Sequence, residues 1–260
     1  MGMRTEGGLR VNRYLQNLER IEFVVTMACT GSCIHCSEGE HDRFAEHIDA
    51  EAAAEAVRKI CTHYRIASLM TFGGESLRYP EVVCRIHREA TDLGIPVRQL
   101  ITNGYFSKDR ERIRAVTLAL RESGVNDLLL SADAFHQETI PLEPVLFFAR
   151  CAADSGIPIR LQPAWLFSPE DRNPYNDRTR EILRAFDPLG IPRNSGNVIF
   201  PMGNARKSLR DYFPETMEVS SPYDEDPEDL RTVSIGPNGD VLGGNLYETD
   251  ILELIRAYSP

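Results

Sequence analysis

The chain has 260 residues, 42% hydrophobic and 26% charged, with 18 glycines and 16 prolines, a globular composition far from disordered, collagen-like or coiled-coil profiles. A formal net charge of -10 argues against coating nucleic acid, which takes a basic stripe. No apolar run nears the roughly 18 residues of a membrane span, Met1 to Arg20 lacks a signal-peptide core, and Glu6 stands where N-myristoylation needs Ser or Thr. The expected compartment is therefore the cytoplasm, where thiols stay reduced.

In chain order, Ile21–Met27 is a short β-branched run and Asp49–Tyr64 reads as a helix capped by Asp49. Ala67–Phe72 is a second apolar run ending in Gly73-Gly74, and Pro80–Leu93 is a helix with Pro at its start and Gly94 past its end. The unit repeats with a strand at Val97–Ile101, a helix at Lys108–Ser123 and a strand at Asp127–Ser131. A helix at Pro141–Ser155, a strand at Ile157–Gln162, a helix at Asn176–Phe186 and a strand at Asn197–Phe200 follow. Strands alternating with such helices predict an α/β fold with a parallel sheet. Polar clusters follow nearly every strand: the cysteine loop, Gly73-Gly74-Glu75, Thr102-Asn103-Gly104 and Ser131–His136. In a barrel those ends share one mouth, so an open, partial (β/α)6 TIM-like barrel is expected rather than a doubly wound sheet. Pro214–Leu230 carries seven acidic residues and three prolines and reads as a linker. Beyond it, Thr232–Ile235 and Asp240–Leu242 flank Pro237-Asn238-Gly239, a hairpin signal, and Ile251–Tyr258 closes as a helix.

Three of the six cysteines fall within eight residues, Cys29-Thr-Gly-Ser-Cys33-Ile-His35-Cys36, spaced C-x3-C-x2-C. Such a loop can wrap three thiolates around one inorganic centre. Zinc would need a fourth ligand, with His35 or His41 as candidates; no second CxxC or CxxH pair closes such a site. Three thiolates alone suit an iron–sulfur cluster with one iron left open. A loop stabilised by metal without catalysis is the reading from another class. Cys61, Cys84 and Cys151 lie in predicted helices and read as buried apolar residues. His136, taken alone, is either a structural hydrogen-bonder or a proton-transfer group.

C-x3-C-x2-C after the first strand of a β/α chain resembles the radical SAM superfamily. That resemblance implies a [4Fe–4S] cluster on Cys29, Cys33 and Cys36, its open iron chelating S-adenosylmethionine. Reductive cleavage of that cofactor to a 5′-deoxyadenosyl radical, which abstracts a substrate hydrogen atom, is the implied chemistry. His35 stands where the family places a flat ring near the adenine. Gly73-Gly74-Glu75 is similar to the GGE motif that receives the methionine amino group: two glycines admit close backbone approach and a carboxylate offsets the ammonium. Softer matches are Asn103, Ser131 and Asp133, as polar contacts to the cofactor, and Arg160, as a partner for its carboxylate. A reducing partner such as flavodoxin or ferredoxin is implied as well. The likeness covers about Ile21 to Arg206. Its expected division is residues 1–20 as an N-terminal extension, 21–213 as the barrel and 214–260 as a C-terminal extension, with hairpin and helix, closing or flanking the mouth. Ile235-Gly-Pro-Asn-Gly-Asp-Val-Leu resembles the start of the extension of peptide-modifying members, but Gly243-Gly244 replaces the expected cysteine and none follows Cys151. No auxiliary cluster is therefore expected. A ribosomal peptide is the favoured substrate, with a small metabolite or nucleotide as the alternative.

Overall fold

The computed structural model describes residues 12–39, 41, 46–213, 221 and 223–260; Glu6, most of the expected N-terminal extension and part of the acidic linker lie outside them. In the order of the chain the elements are β1 (Arg20–Val24), α1 (Ala50–Cys61), β2 (Ser68–Phe72), α2 (Pro80–Asp92), β3 (Val97–Thr102), α3 (Arg110–Glu122), β4 (Asp127–Ser131), α4 (Ala134–Gln137) and α5 (Leu142–Asp154). There follow β5 (Ile159–Gln162), β6 (Ala164–Trp165), α6 (Pro174–Arg184), β7 (Asn197–Val198), α7 (Gly203–Ser208), β8 (Thr232–Ile235), β9 (Asp240–Val241), β10 (Gly244–Asn245) and α8 (Ile251–Ala257). Helix starts follow side-chain chemistry: Asp49, Asp109 and Asn173 each accept a first-turn N–H of α1, α3 and α6.

The main sheet runs β5-β4-β3-β2-β1-β8, and each neighbouring pair in it is parallel. β5 continues past Pro163 into β6, which pairs in parallel with β7. Asn194 and Asn197 N–H groups donate to the Leu161 and Pro163 carbonyls, extending that sixth strand upstream of Asn197. Among the described residues β7 and β8 do not pair, so the barrel is open.

The two faces of the sheet differ in chemistry. The convex face buries Ile21, Phe23, Leu69, Leu100, Leu128, Leu130 and Val233 against Val57, Ile60, Val83, Ile86, Leu120 and Phe148 of the helices. The side-chain period of two turns the alternate residues inward. There Arg20 bonds Glu22 (2.5 Å), Ser68 (3.2 Å) and Gln99 (2.8 Å), and Gln99 bonds Asp127 (2.7 Å). Arg160 grips Asp127 at 2.6 and 2.7 Å and reaches Asn194 at 3.0 Å. The inside of the barrel near the strand starts is thus a hydrogen-bonded ladder of charges and amides, not a layer of aliphatics.

The tail holds a hairpin and a helix, with one change of partner. The turn at Pro237-Asn238-Gly239 forms, closed by Gly239 N–H to Gly236 O at 3.0 Å. The chain folds back there, Gly236 N–H donating to Asp240 O at 2.9 Å, but Thr232–Ile235 forms no ladder with Asp240–Val241; it pairs with β1 from Arg20↔Thr232 to Phe23↔Ile235. The hairpin is instead β9–β10, turned by Leu242 (φ 50) and Gly243 (φ 77), both left-handed as a two-residue primed turn requires. One edge of β8 thus covers the edge of β1 that β2 leaves free, satisfying backbone groups a buried strand cannot leave unpaired.

Candidate functional site

The loops after β1, β2 and β3 are knitted by backbone bonds. Gly74 N–H donates to Thr26 O (2.7 Å) and Glu75 N–H to Ala28 O (2.9 Å), so the glycine pair lies against the chain entering the cysteine loop. A β-carbon on Gly73, where φ is 139°, would stand 2.4 Å from Thr26 O; one on Gly74 would stand 2.4 Å from Ala28 O and 2.7 Å from Met27 O. Only glycine permits this approach. Gly74→Ala is expected to destabilise the protein by about 2 kcal/mol, because backbone cannot rotate away as a side chain can; the urea midpoint at unchanged slope checks it.

Glu75, fully buried, accepts from Leu77 N–H (2.9 Å), Thr102 Oγ1 (2.7 Å) and Asn103 N–H (2.8 Å), tying β2 to the end of β3. Burial holds its pKa above the ordinary carboxylate value in spite of these donors. Asn103 in turn directs Nδ2 to Cys29 Sγ (3.6 Å) and Thr30 Oγ1 (3.3 Å).

Cys29, Cys33 and Cys36 are all unpaired in disulfide terms. Burial raises all three thiols, Cys29 to about 11, and Cys29 is pushed further up by Glu75 and Cys36. The Cys33 thiol is raised by Asp133 and by the other two cysteines as well. These are thiols that resist charge until a cation compensates them. Gly31 N–H points at Cys29 Sγ (3.4 Å), Ser32 N–H donates to Thr139 Oγ1 (3.1 Å) and His41 Nε2 lies 3.1 Å from Cys36 Sγ. From the far side of the mouth, Asn204 donates its N–H to Cys36 O (2.8 Å) and Nδ2 to Cys33 O and Gly39 O (3.2 Å each). Gly203 packs so closely that a β-carbon there would meet Ser37 O at 2.3 Å. The tie of Asn204 to the cysteine loop escapes sequence reasoning, because nothing in its local spacing links α7 to a loop near the other end of the chain.

His35 faces Phe135 and His136, ring centroids 5.0 and 4.8 Å away, and its Nδ1 is buried without a partner. Burial, then repulsion from His136, lowers its pKa to about 4, so the ring is neutral. Ser131 ends β4 beside Gln162, facing the mouth.

Two expected contacts are corrected. Asp133 is fully buried, and its oxygens take the N–H groups of Phe135 (3.0 Å), His136 (2.9 Å) and Ala164 (2.9 Å) and His136 Nδ1 (2.8 Å). It caps α4 and orients His136 rather than facing a ligand. Burial opposes its charge, yet His136 brings its pKa to about 2; burial likewise opposes the His136 charge, but Asp133 and Glu75 carry that pKa upward. His35, Asp133 and His136 stand close enough to suggest a metal site, but the Asp133 oxygens are already committed. Arg160, expected to meet a carboxylate at the mouth, is held by Asp127, the first residue of β4, towards the opposite end of the sheet.

The donor set fits an iron–sulfur cluster: three thiols on one loop, Cys33 buried and Cys29 and Cys36 partly so, beside a wall of close-packed glycines, with the His41 ring 3.1 Å from Cys36 Sγ as a further donor at hand. Comparison with known proteins agrees. The family model of the radical SAM superfamily matches residues 23–211. No curated protein matches the sequence. Among solved structures, Streptococcus suis SuiB bound to its precursor peptide SuiA is similar with a TM-score of 0.59 at 14% identity, over 94% of this chain and 68% of that one. BtrN in complex with AdoMet and 2-DOIA gives 0.50 at 16% over 93% and 83%, and Escherichia coli coproporphyrinogen III oxidase, HemN, gives 0.53 at 14% over 82% and 50%. At such identities the likeness is one of fold.

Proposed function

The chain belongs to the radical SAM superfamily, whose members use a [4Fe–4S] cluster and S-adenosylmethionine, and from that premise we propose that it is a cytoplasmic enzyme that abstracts a hydrogen atom from a ribosomal peptide. When bound, the cluster supplies the electron that cleaves S-adenosylmethionine to a 5′-deoxyadenosyl radical. Cys29, Cys33 and Cys36 would hold three irons. Gly73 and Gly74 leave main-chain room for the methionine ammonium, and Glu75, held by Leu77, Thr102 and Asn103, fixes that wall in place. His35 offers a neutral ring to the adenine, and Ser131 and Asn103 flank the same space. His136, oriented by Asp133, holds a proton at the mouth.

The observation that carries this reading is the backbone stitching of Gly74 and Glu75 onto Thr26 and Ala28, which brings the cysteine loop and the glycine loop into one wall. The tail sequence and the peptide-bound SuiB neighbour support a peptide substrate. Residues 214–260 are proposed to flank the mouth, with Tyr223 against Phe200 at 6.3 Å. The electron is proposed to come from flavodoxin or ferredoxin. Among the described residues no helix is long and apolar enough to cross a membrane.

The test is anaerobic reconstitution with iron and sulfide, then dithionite reduction with S-adenosylmethionine and assay of 5′-deoxyadenosine. Product at catalytic yield is expected. A fully loaded cluster that yields none under any reductant, or a chain that takes zinc in place of iron, overturns the proposal.

A further inference from the structure

We infer that the Asn103 side-chain amide donates a hydrogen bond to the Cys29 sulfur and thereby raises the reduction potential of the cluster held there. The inference rests on the cluster reading above. Asn103, at the end of β3, is 5% exposed. Its backbone N–H is spent on Glu75 Oε2 at 2.8 Å, and its Oδ1 accepts the Tyr105 N–H at 2.8 Å. A backbone N–H can pair only with the oxygen end of the amide, so the orientation is fixed. The NH2 end then faces Cys29 Sγ at 3.6 Å and Thr30 Oγ1 at 3.3 Å.

A thiolate ligand adds negative charge beside the iron, and an electron joining the cluster adds more. A donor aimed at the sulfur offsets part of that charge, so hydrogen bonds to cluster sulfurs raise the potential. Asn103 suits this task because it is held before the cluster arrives: two of its three polar groups are anchored, so directing the third costs little entropy. The Gly31 N–H, 3.4 Å from the same sulfur, belongs to the cysteine loop itself. Asn103 comes from a different strand, and its anchor is Glu75 of the glycine loop. The donor to the sulfur and the glycine wall therefore move as one body.

The experiment is a potentiometric titration followed by EPR on the reconstituted protein without S-adenosylmethionine, comparing wild type with Asn103→Ala at equal iron content. The variant is expected to reduce at lower potential by at least a tenfold change in the equilibrium constant, 59 mV for a one-electron couple. An unchanged potential in an iron-replete variant overturns the inference and leaves the cluster reading intact. A wild type that takes up no cluster overturns both. Where the alanine variant fails to hold iron, Asn103→Asp decides, since it keeps the acceptor for Tyr105 and removes the donor. Since the new carboxylate lowers the potential by its charge alone, the readout there is the exchangeable proton coupled to the reduced cluster beyond that of the Gly31 N–H: its loss supports the inference, and its retention overturns it.

Discussion

Cys33→Ala is expected to leave a folded protein with iron falling from about four to below about one per chain and 5′-deoxyadenosine at background. The cysteine loop has only three thiols to give, and the remaining cysteines lie elsewhere: Cys61, Cys84 and Cys151 are in α1, α2 and α5. The fold should survive, because the loop is held without its sulfurs. Asn204 carries the Cys33 and Cys36 carbonyls and Thr139 the Ser32 N–H, and deleting one small buried group costs about 1 kcal/mol. Circular dichroism, iron analysis and product assay on one preparation check all three statements. A variant that keeps a full cluster and makes product would show that Cys33 is not a ligand.

Asp133→Ala is expected to destabilise the protein by about 3–5 kcal/mol, the cost of removing one partner from a buried charged network. Three backbone N–H groups lose their acceptor at once, and His136 is left buried without its counter-charge. The effect has a pH signature. A carboxylate whose folded pKa is depressed, here from 3.8 to about 2, stabilises above 3.8, and that contribution disappears as the pH falls through about 2. His136 runs the other way: its raised pKa stabilises below its ordinary value and is lost as the pH rises through the raised one. Urea midpoints of wild type and Asp133→Asn between pH 2 and 5 should converge on acidification. Curves that stay parallel would remove Asp133 from the account.

What could be read from the sequence is what chemistry writes locally. C-x3-C-x2-C and Gly-Gly-Glu are legible because ligand spacing and close backbone approach demand those residues in those places, and the alternation of strands and helices is written in composition and caps. Direction and competition are not. Arg160 sits on the strand and the face expected of it, but its side chain follows the nearest buried carboxylate, Asp127. Asp133 follows β4 as a ligand would, yet the backbone donors of α4 and Ala164, one of them from a distant element, claim both oxygens. Leu242-Gly243 carries no familiar hairpin dipeptide, whereas Pro-Asn-Gly does, so the hairpin was expected one turn too early. α7 reaches the cysteine loop through contacts of long sequence separation, which no local window contains.

The strand that launches the cysteine loop has neighbours of very different age. β2 is made soon after β1, whereas β8, which pairs Arg20 with Thr232, leaves the ribosome long afterwards. Until then one edge of β1 is bare, and closing so long a loop is entropically the slowest pairing in the sheet. The three thiols thus follow a strand that only one neighbour supports until the tail arrives. The strand that carries the cysteine loop is complete only once the tail has been made.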